Sequence, residues 1–110
     1  MLPIFFNKKN MLKIIITRGI PGSGKTTWAK NFVKNNPNYI RISRDDLRSI
    51  LIGKWDCSIE GVVKSTQAHM IKSFLEIGKN IVVDSTNLEN NSLIYQAAID
   101  SGCDFDVEYK

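Results

Sequence analysis

Gly19-Ile20-Pro21-Gly22-Ser23-Gly24-Lys25-Thr26 constrains this chain of 110 residues more than any other feature. The segment fits the pattern G-x-x-x-x-G-K-[ST]. An apolar, β-branched run (Ile14-Ile15-Ile16-Thr17) precedes it, and a helix-forming stretch beginning Thr26-Thr27-Trp28-Ala29 follows. Strand, glycine-rich loop and helix in that order are the setting in which the pattern works as a phosphate-binding loop. Glycines let successive backbone N–H groups turn inward toward phosphate oxygens. The helix N-terminus adds partial positive charge. Lys25 then reaches the β- and γ-phosphates, and the Thr26 hydroxyl can ligate Mg²⁺. Gly19, Pro21, Gly22, Ser23, Gly24, Lys25, Thr26 and Thr27 are therefore the expected binding residues for a nucleoside triphosphate.

The rest of the chain supplies one domain's worth of structure. From Lys13 onward, strand and helix signals alternate, which predicts a three-layer α/β/α fold around a parallel, doubly wound sheet. Strands are expected over about Lys13–Arg18, Tyr39–Ile42, Asn80–Asp84 and Asp104–Tyr109. Helices are expected over about Lys25–Asn35, Asp45–Ile52, Gly61–Ile77 and Asn91–Ser101. The first helix should bury Trp28, Ala29, Phe32 and Val33, and the long third one Val63, Met70, Ile71, Phe74 and Leu75. Gly78 and Gly102 are natural helix stops. The Ile81-Val82-Val83 run has the look of a strand buried on both faces. Residues 1–12 read as an extension before the domain at 13–110, and Met11 offers a second possible start.

Hydrophobic residues make up 43% and charged residues 24% of the chain, as in an ordinary globular protein. A net charge of +4 suits a phosphate-rich partner and equally suits solvated lysines. Cys57 and Cys103 have no metal-ligand spacing and no C-x-x-C motif, so reduced thiols in a cytoplasmic setting are expected. His69 has no partner that would make it a ligand or base. No apolar run is long enough to span a membrane, and the opening Met1–Phe6 makes a poor signal peptide.

Two acidic stations follow the loop. Ser43-Arg44-Asp45-Asp46-Leu47-Arg48 falls at the carboxyl end of the second strand, where ligands of such sheets bind. Ser43-x-x-Asp46 matches a capping box, which accounts for Asp46 and leaves Asp45 with little structural work. Asp45 and Arg48 share a helix face. That pair reads either as a base for an acceptor hydroxyl beside a phosphate clamp, or as a surface ion pair. The second station, Ile81-Val82-Val83-Asp84, is an apolar strand ending in an acid. Downstream of a P-loop this suits a carboxylate that reaches Mg²⁺ through water, making Thr26 and Asp84 the expected metal residues.

Together, Gly19–Ala29, Arg44-Asp45-Asp46-Leu47-Arg48 and Asp84-Ser85-Thr86-Asn87-Leu88 resemble the kinase domain of phage polynucleotide 5′-hydroxyl kinases and their P-loop kinase relatives. The resemblance runs from about Met11 to Lys110. It implies a kinase-type strand order, ATP and Mg²⁺ as ligands, and a 5′-hydroxyl DNA or RNA end as acceptor. It casts Asp45 as general base and Lys25 and Arg48 as catalytic groups. Arg44, Arg48, Thr86 and Asn87 would lie along the acceptor, with Arg41 able to extend a basic path. Ser85 stands where the phage pattern has its acid, with Asp84 one place earlier. The family pattern also continues through an arginine-bearing lid and a fifth strand, so a completing polypeptide is one expectation. A small-metabolite kinase and an impaired ATP-binding fragment are the alternative readings.

Overall fold

A computed structural model describes residues 11–17, 24–51, 57–84 and 91–110. Four parallel strands, β1 (Leu12–Ile16), β2 (Tyr39–Ile42), β3 (Asn80–Val83) and β4 (Phe105–Tyr109), form one sheet in the order β2-β3-β1-β4. Helix α1 (Lys25–Asn35) links β1 to β2. Helix α2 (Arg44–Leu51), a 3₁₀ turn (Cys57–Ile59) and helix α3 (Glu60–Glu76) lead from β2 to β3. Helix α4 (Ser92–Asp100) leads to β4. This is the expected three-layer α/β/α arrangement. Element ends within the described residues differ from the predicted ones by about a residue, the predicted ends at Arg18 and Ile52 lie outside the described residues, and the 3₁₀ turn was not foreseen.

Alternation along the strands builds two cores from one sheet. Ile14, Ile16, Ile42, Ile81 and Val83 face α3 and α4, where they meet Ile71, Leu75, Ile94, Ala97 and Ala98. Ile15 and Val82 face the other way, onto Ala29 of α1, with Trp28, Phe32, Val33 and Tyr39 closing round them. Trp28 stacks on Phe32 at 5.0 Å between ring centroids, and Phe32 meets Tyr39 edge-on. The Ile81-Val82-Val83 run is thus apolar throughout because both of its faces are covered, as predicted.

The long helix departs from its predicted stripe at three positions, for Met70 and Phe74 are only half-buried against the core and Gln67 joins it. Val63, Ile71 and Leu75 are buried as expected, but so is Gln67, whose Nε2 has no hydrogen-bond partner. Residues at intervals of four bring Gln67 onto the core face despite its polarity. The helix ends as its glycine predicts. Gly78 takes φ +88°, its N–H bonds to the Leu75 carbonyl, and the Lys79 N–H reaches back to Phe74. That pair of bonds is the Schellman arrangement, which glycine adopts without a Cβ penalty. Cys103 is a free, half-buried thiol that donates to the Leu75 carbonyl at 3.3 Å.

Register places the functional end. Ile16 of β1 pairs with Val83 of β3 and Tyr109 of β4, and Ile42 of β2 with Val83. The strands finish level, and the next residues are Thr17, Ser43, Asp84 and Lys110. The Asp84 N–H bonds to the Ile42 carbonyl, and Thr17 bonds to Val83 through both its N–H and its hydroxyl. These bonds carry the sheet one step further, so the side chains that emerge there are held by backbone.

Candidate active site at the carboxyl end of the sheet

Helix α1 opens at Gly24, whose φ of +88° is a left-handed conformation that favours glycine. The Trp28 N–H bonds to the Gly24 carbonyl and begins the helix. Lys25, Thr26 and Thr27 therefore occupy the first turn, where N–H groups lack helical partners. With Gly24 they line a recess of about 260 Å³. Gly19, Pro21, Gly22 and Ser23 lie outside the described residues, as do Ser85, Thr86 and Asn87. A larger hollow of about 800 Å³ lies at the opposite, amino end of the strands, among Leu12, Asn80 and Asp104. Chemistry outweighs volume here: among the described residues, no predicted site residue lines that hollow.

The end of β3 meets the start of α1. The Asp84 carboxylate is 2% exposed, and its Oδ1 lies 3.5 Å from the Thr26 hydroxyl. These are two hard oxygens, one from each of the elements predicted to supply a metal ligand. Mg²⁺ is commonly held by one or two protein oxygens with substrate phosphates and water making up the rest. The pair fits that demand. The other Asp84 oxygen is already taken, for Arg41 Nε and Nη2 bond to Oδ2 at 2.8 and 2.7 Å.

Arg41 continues the network into α2. Its Nη1 reaches Asp46 Oδ2 at 2.5 Å. Burial works against the charge on Arg41, but hydrogen bonds to Asp46 and Asp84 outweigh it and raise its pKa. Half of the predicted capping box is formed, with the Asp46 N–H donating to Ser43 Oγ at 3.3 Å. The Asp46 carboxylate accepts from Arg41. It therefore does a second job that the capping pattern did not suggest.

Asp45, one residue earlier, is 64% exposed and pairs with Arg48. Arg48 is held from behind by Glu60, the first residue of α3. Nε donates to Oε2 at 2.9 Å and Nη2 to Oε1 at 2.6 Å, a two-pronged clamp. Hydrogen bonding to Glu60 is the main reason Arg48 is raised, and the bond from Arg48 is the main reason Glu60 is lowered. Arg44 packs into the same junction, 4.0 Å from Glu60, with its Nε buried and unpartnered.

Arg41, Arg44 and Arg48 thus gather at one end, as the basic-path reading requires, but Arg41 and Arg48 are committed to carboxylates. Glu60 was missed from sequence. It is twelve residues from Arg48, beyond any helical spacing, and an acid in a first turn reads as dipole compensation.

The AAA_33 family, described as an AAA domain, matches residues 14–107. The chain belongs to this family. This AAA_33 chain is 28% identical over 87 residues to the L-seryl-tRNA(Sec) kinase of Methanococcus maripaludis, a match spanning 71% of the chain and 32% of that kinase. A chain of the Pnkp1/Rnl/Hen1 complex superposes with a TM-score of 0.72 at 27% identity, over 91% of this chain and 35% of that one. The APS kinase CysC of Mycobacterium tuberculosis superposes at 0.66 with 18% identity, over 91% of this chain and 75% of that one, and shows the shared fold. The AAA_33 chain spans about a third of the length of the first two relatives. It therefore has a P-loop kinase fold, and among its described residues no helix is long and apolar enough to cross a membrane.

Proposed function

We propose that residues 13–110 form the core of an ATP-dependent kinase that phosphorylates the 5′-hydroxyl of a polynucleotide. One observation carries the reading. Two runs of polar contacts meet at adjacent residues in the first turn of α2: Thr26 to Asp84 to Arg41 to Asp46, and Asp45 to Arg48 to Glu60. Two relatives at 27–28% identity carry RNA in their names: an L-seryl-tRNA(Sec) kinase and the Pnkp1/Rnl/Hen1 RNA repair complex.

In this reading Lys25 and the first-turn N–H groups of α1 hold the ATP phosphates, and Thr26 and Asp84 hold Mg²⁺. The metal, when bound, neutralises charge on the transferring phosphoryl group. Asp45 accepts the proton of the 5′-hydroxyl. That oxygen forms the new bond to the γ-phosphorus as the bond to the ADP oxygen breaks. Arg48 turns from Asp45 to the phosphate next to the acceptor hydroxyl, while Arg44, Thr86 and Asn87 line the strand's path. An arginine-bearing lid is assigned to sequence other than these 110 residues, on the same or a second polypeptide.

The test incubates the purified chain with γ-labelled ATP, Mg²⁺ and a 5′-hydroxyl oligonucleotide, with Asp45→Asn as control. Transfer to the oligonucleotide that disappears in the control is the expected result. A folded chain that binds ATP and labels a small hydroxylated metabolite but no oligonucleotide would overturn the acceptor assignment.

A further inference from the structure

β2, an edge strand of the sheet, carries an arginine that pairs with the apolar Val82 of β3. The Arg41 side chain is only 12% exposed, and it spends Nε, Nη1 and Nη2 on two carboxylates from different elements. Neutralising the buried Asp84 explains one of those arms. It does not explain the other, because Asp46 is 53% exposed and water would solvate it without help. A guanidinium is the side chain suited to span both, since its donors point in fixed and different directions.

We infer that Arg41 tempers the attraction of Asp84 for a cation at the proposed metal site and couples that carboxylate to the first turn of α2. With both donors on Oδ2, Arg41 leaves Oδ1 as the oxygen turned toward Thr26. Its charge sits directly behind the carboxylate a cation would approach, so it weakens the attraction for that cation. Through Asp46 it fixes the turn that presents Asp45. A change at Asp84 is therefore felt one residue from the proposed base. Both effects rest on the proposed site: the cation effect on Asp84 as a metal residue, and the coupling on Asp45 as the base.

The experiment compares wild type, Arg41→Met and Arg41→Lys by titrating MgCl₂ with and without ATP and following amide exchange in α2. Arg41→Met should bind Mg²⁺ about tenfold more tightly, because the cation no longer competes with a fixed positive charge. Arg41→Lys keeps a charge beside Asp84 but cannot span both acids, so its Mg²⁺ affinity should stay within about threefold of wild type. In wild type, Mg²⁺ should change the exchange of the Asp46 and Leu47 amides; in Arg41→Lys it should not. Unchanged or weaker Mg²⁺ binding in Arg41→Met, or identical exchange responses in wild type and Arg41→Lys, would overturn the inference. If Arg41→Met does not fold, the exchange comparison with Arg41→Lys decides. Label transfer to a small hydroxylated metabolite and to no oligonucleotide would remove the acceptor reading while leaving these readouts intact.

Discussion

Arg41 and Arg48 sit at the same end of the sheet and make the same kind of bond, yet their acids live in different solvents. Arg41 holds Asp84, which is 2% exposed; Arg48 holds Glu60 at 20% and Asp45 at 64%. A buried carboxylate stripped of its cation bears a large desolvation cost, of which the Thr26 hydroxyl repays only part. An exposed carboxylate that loses its partner is simply solvated. The first pair is therefore obligatory and the last exchangeable, with Glu60–Arg48 between them. Exchangeability suits the roles proposed for Asp45 and Arg48, since a proton acceptor and a phosphate clamp must leave each other when a substrate arrives.

Breaking the buried pair should produce the largest loss. Arg41→Met is expected to destabilise the chain by about 3 kcal/mol, read from urea unfolding at neutral pH. A smaller loss, about 1 kcal/mol, is expected for Glu60→Gln, which keeps the shape of the clamp but removes its charge. That difference should also depend on pH. Because the folded Glu60 carboxyl is held below its ordinary range, its contribution is complete above the unfolded glutamate pKa of about 4.3. It is lost as pH falls through the lower folded value. Unfolding curves for wild type and Glu60→Gln should therefore separate at pH 7 and converge in strong acid.

Asp45→Asn sharpens the contrast. Stability should move by no more than about 0.5 kcal/mol, while label transfer to a 5′-hydroxyl oligonucleotide should fall at least about a hundredfold. A loss of stability as large as that of Arg41→Met would place Asp45 among the structural acids. The smallest effect is expected in a double-mutant cycle between Asp45 and Arg48. Their coupling should be about 0.3 kcal/mol, in keeping with an exposed pair three residues apart on a helix.

Much of this was legible in advance, for reasons specific to each segment. The Ile81-Val82-Val83 run signalled a two-sided strand because only a covered strand can be apolar at every position. Gly78 marked a helix end because the left-handed conformation there excludes most side chains. Ser43 announced the start of α2, and its hydroxyl does receive the Asp46 N–H. What could not be read were contacts between elements. Glu60 and Arg48 meet because α2 and α3 pack together across the 3₁₀ turn. Gln67 is buried because its position on α3, and not its polarity, decides its place.

Local chemistry was enough to determine the phosphate-binding loop, the alternation of strands and helices, and the acids at strand ends. These follow from backbone sterics, side-chain period and the charge at helix termini, all of which act over a few residues. Only tertiary structure decided which arginine belongs to which acid. Arg41 was expected on a basic path and is instead bound between Asp84 and Asp46, forty-three and five residues away in the chain. Such pairings depend on how far each carboxylate is taken from water. That distance is set by the packing of strands and helices onto one another, and no spacing along the sequence records it.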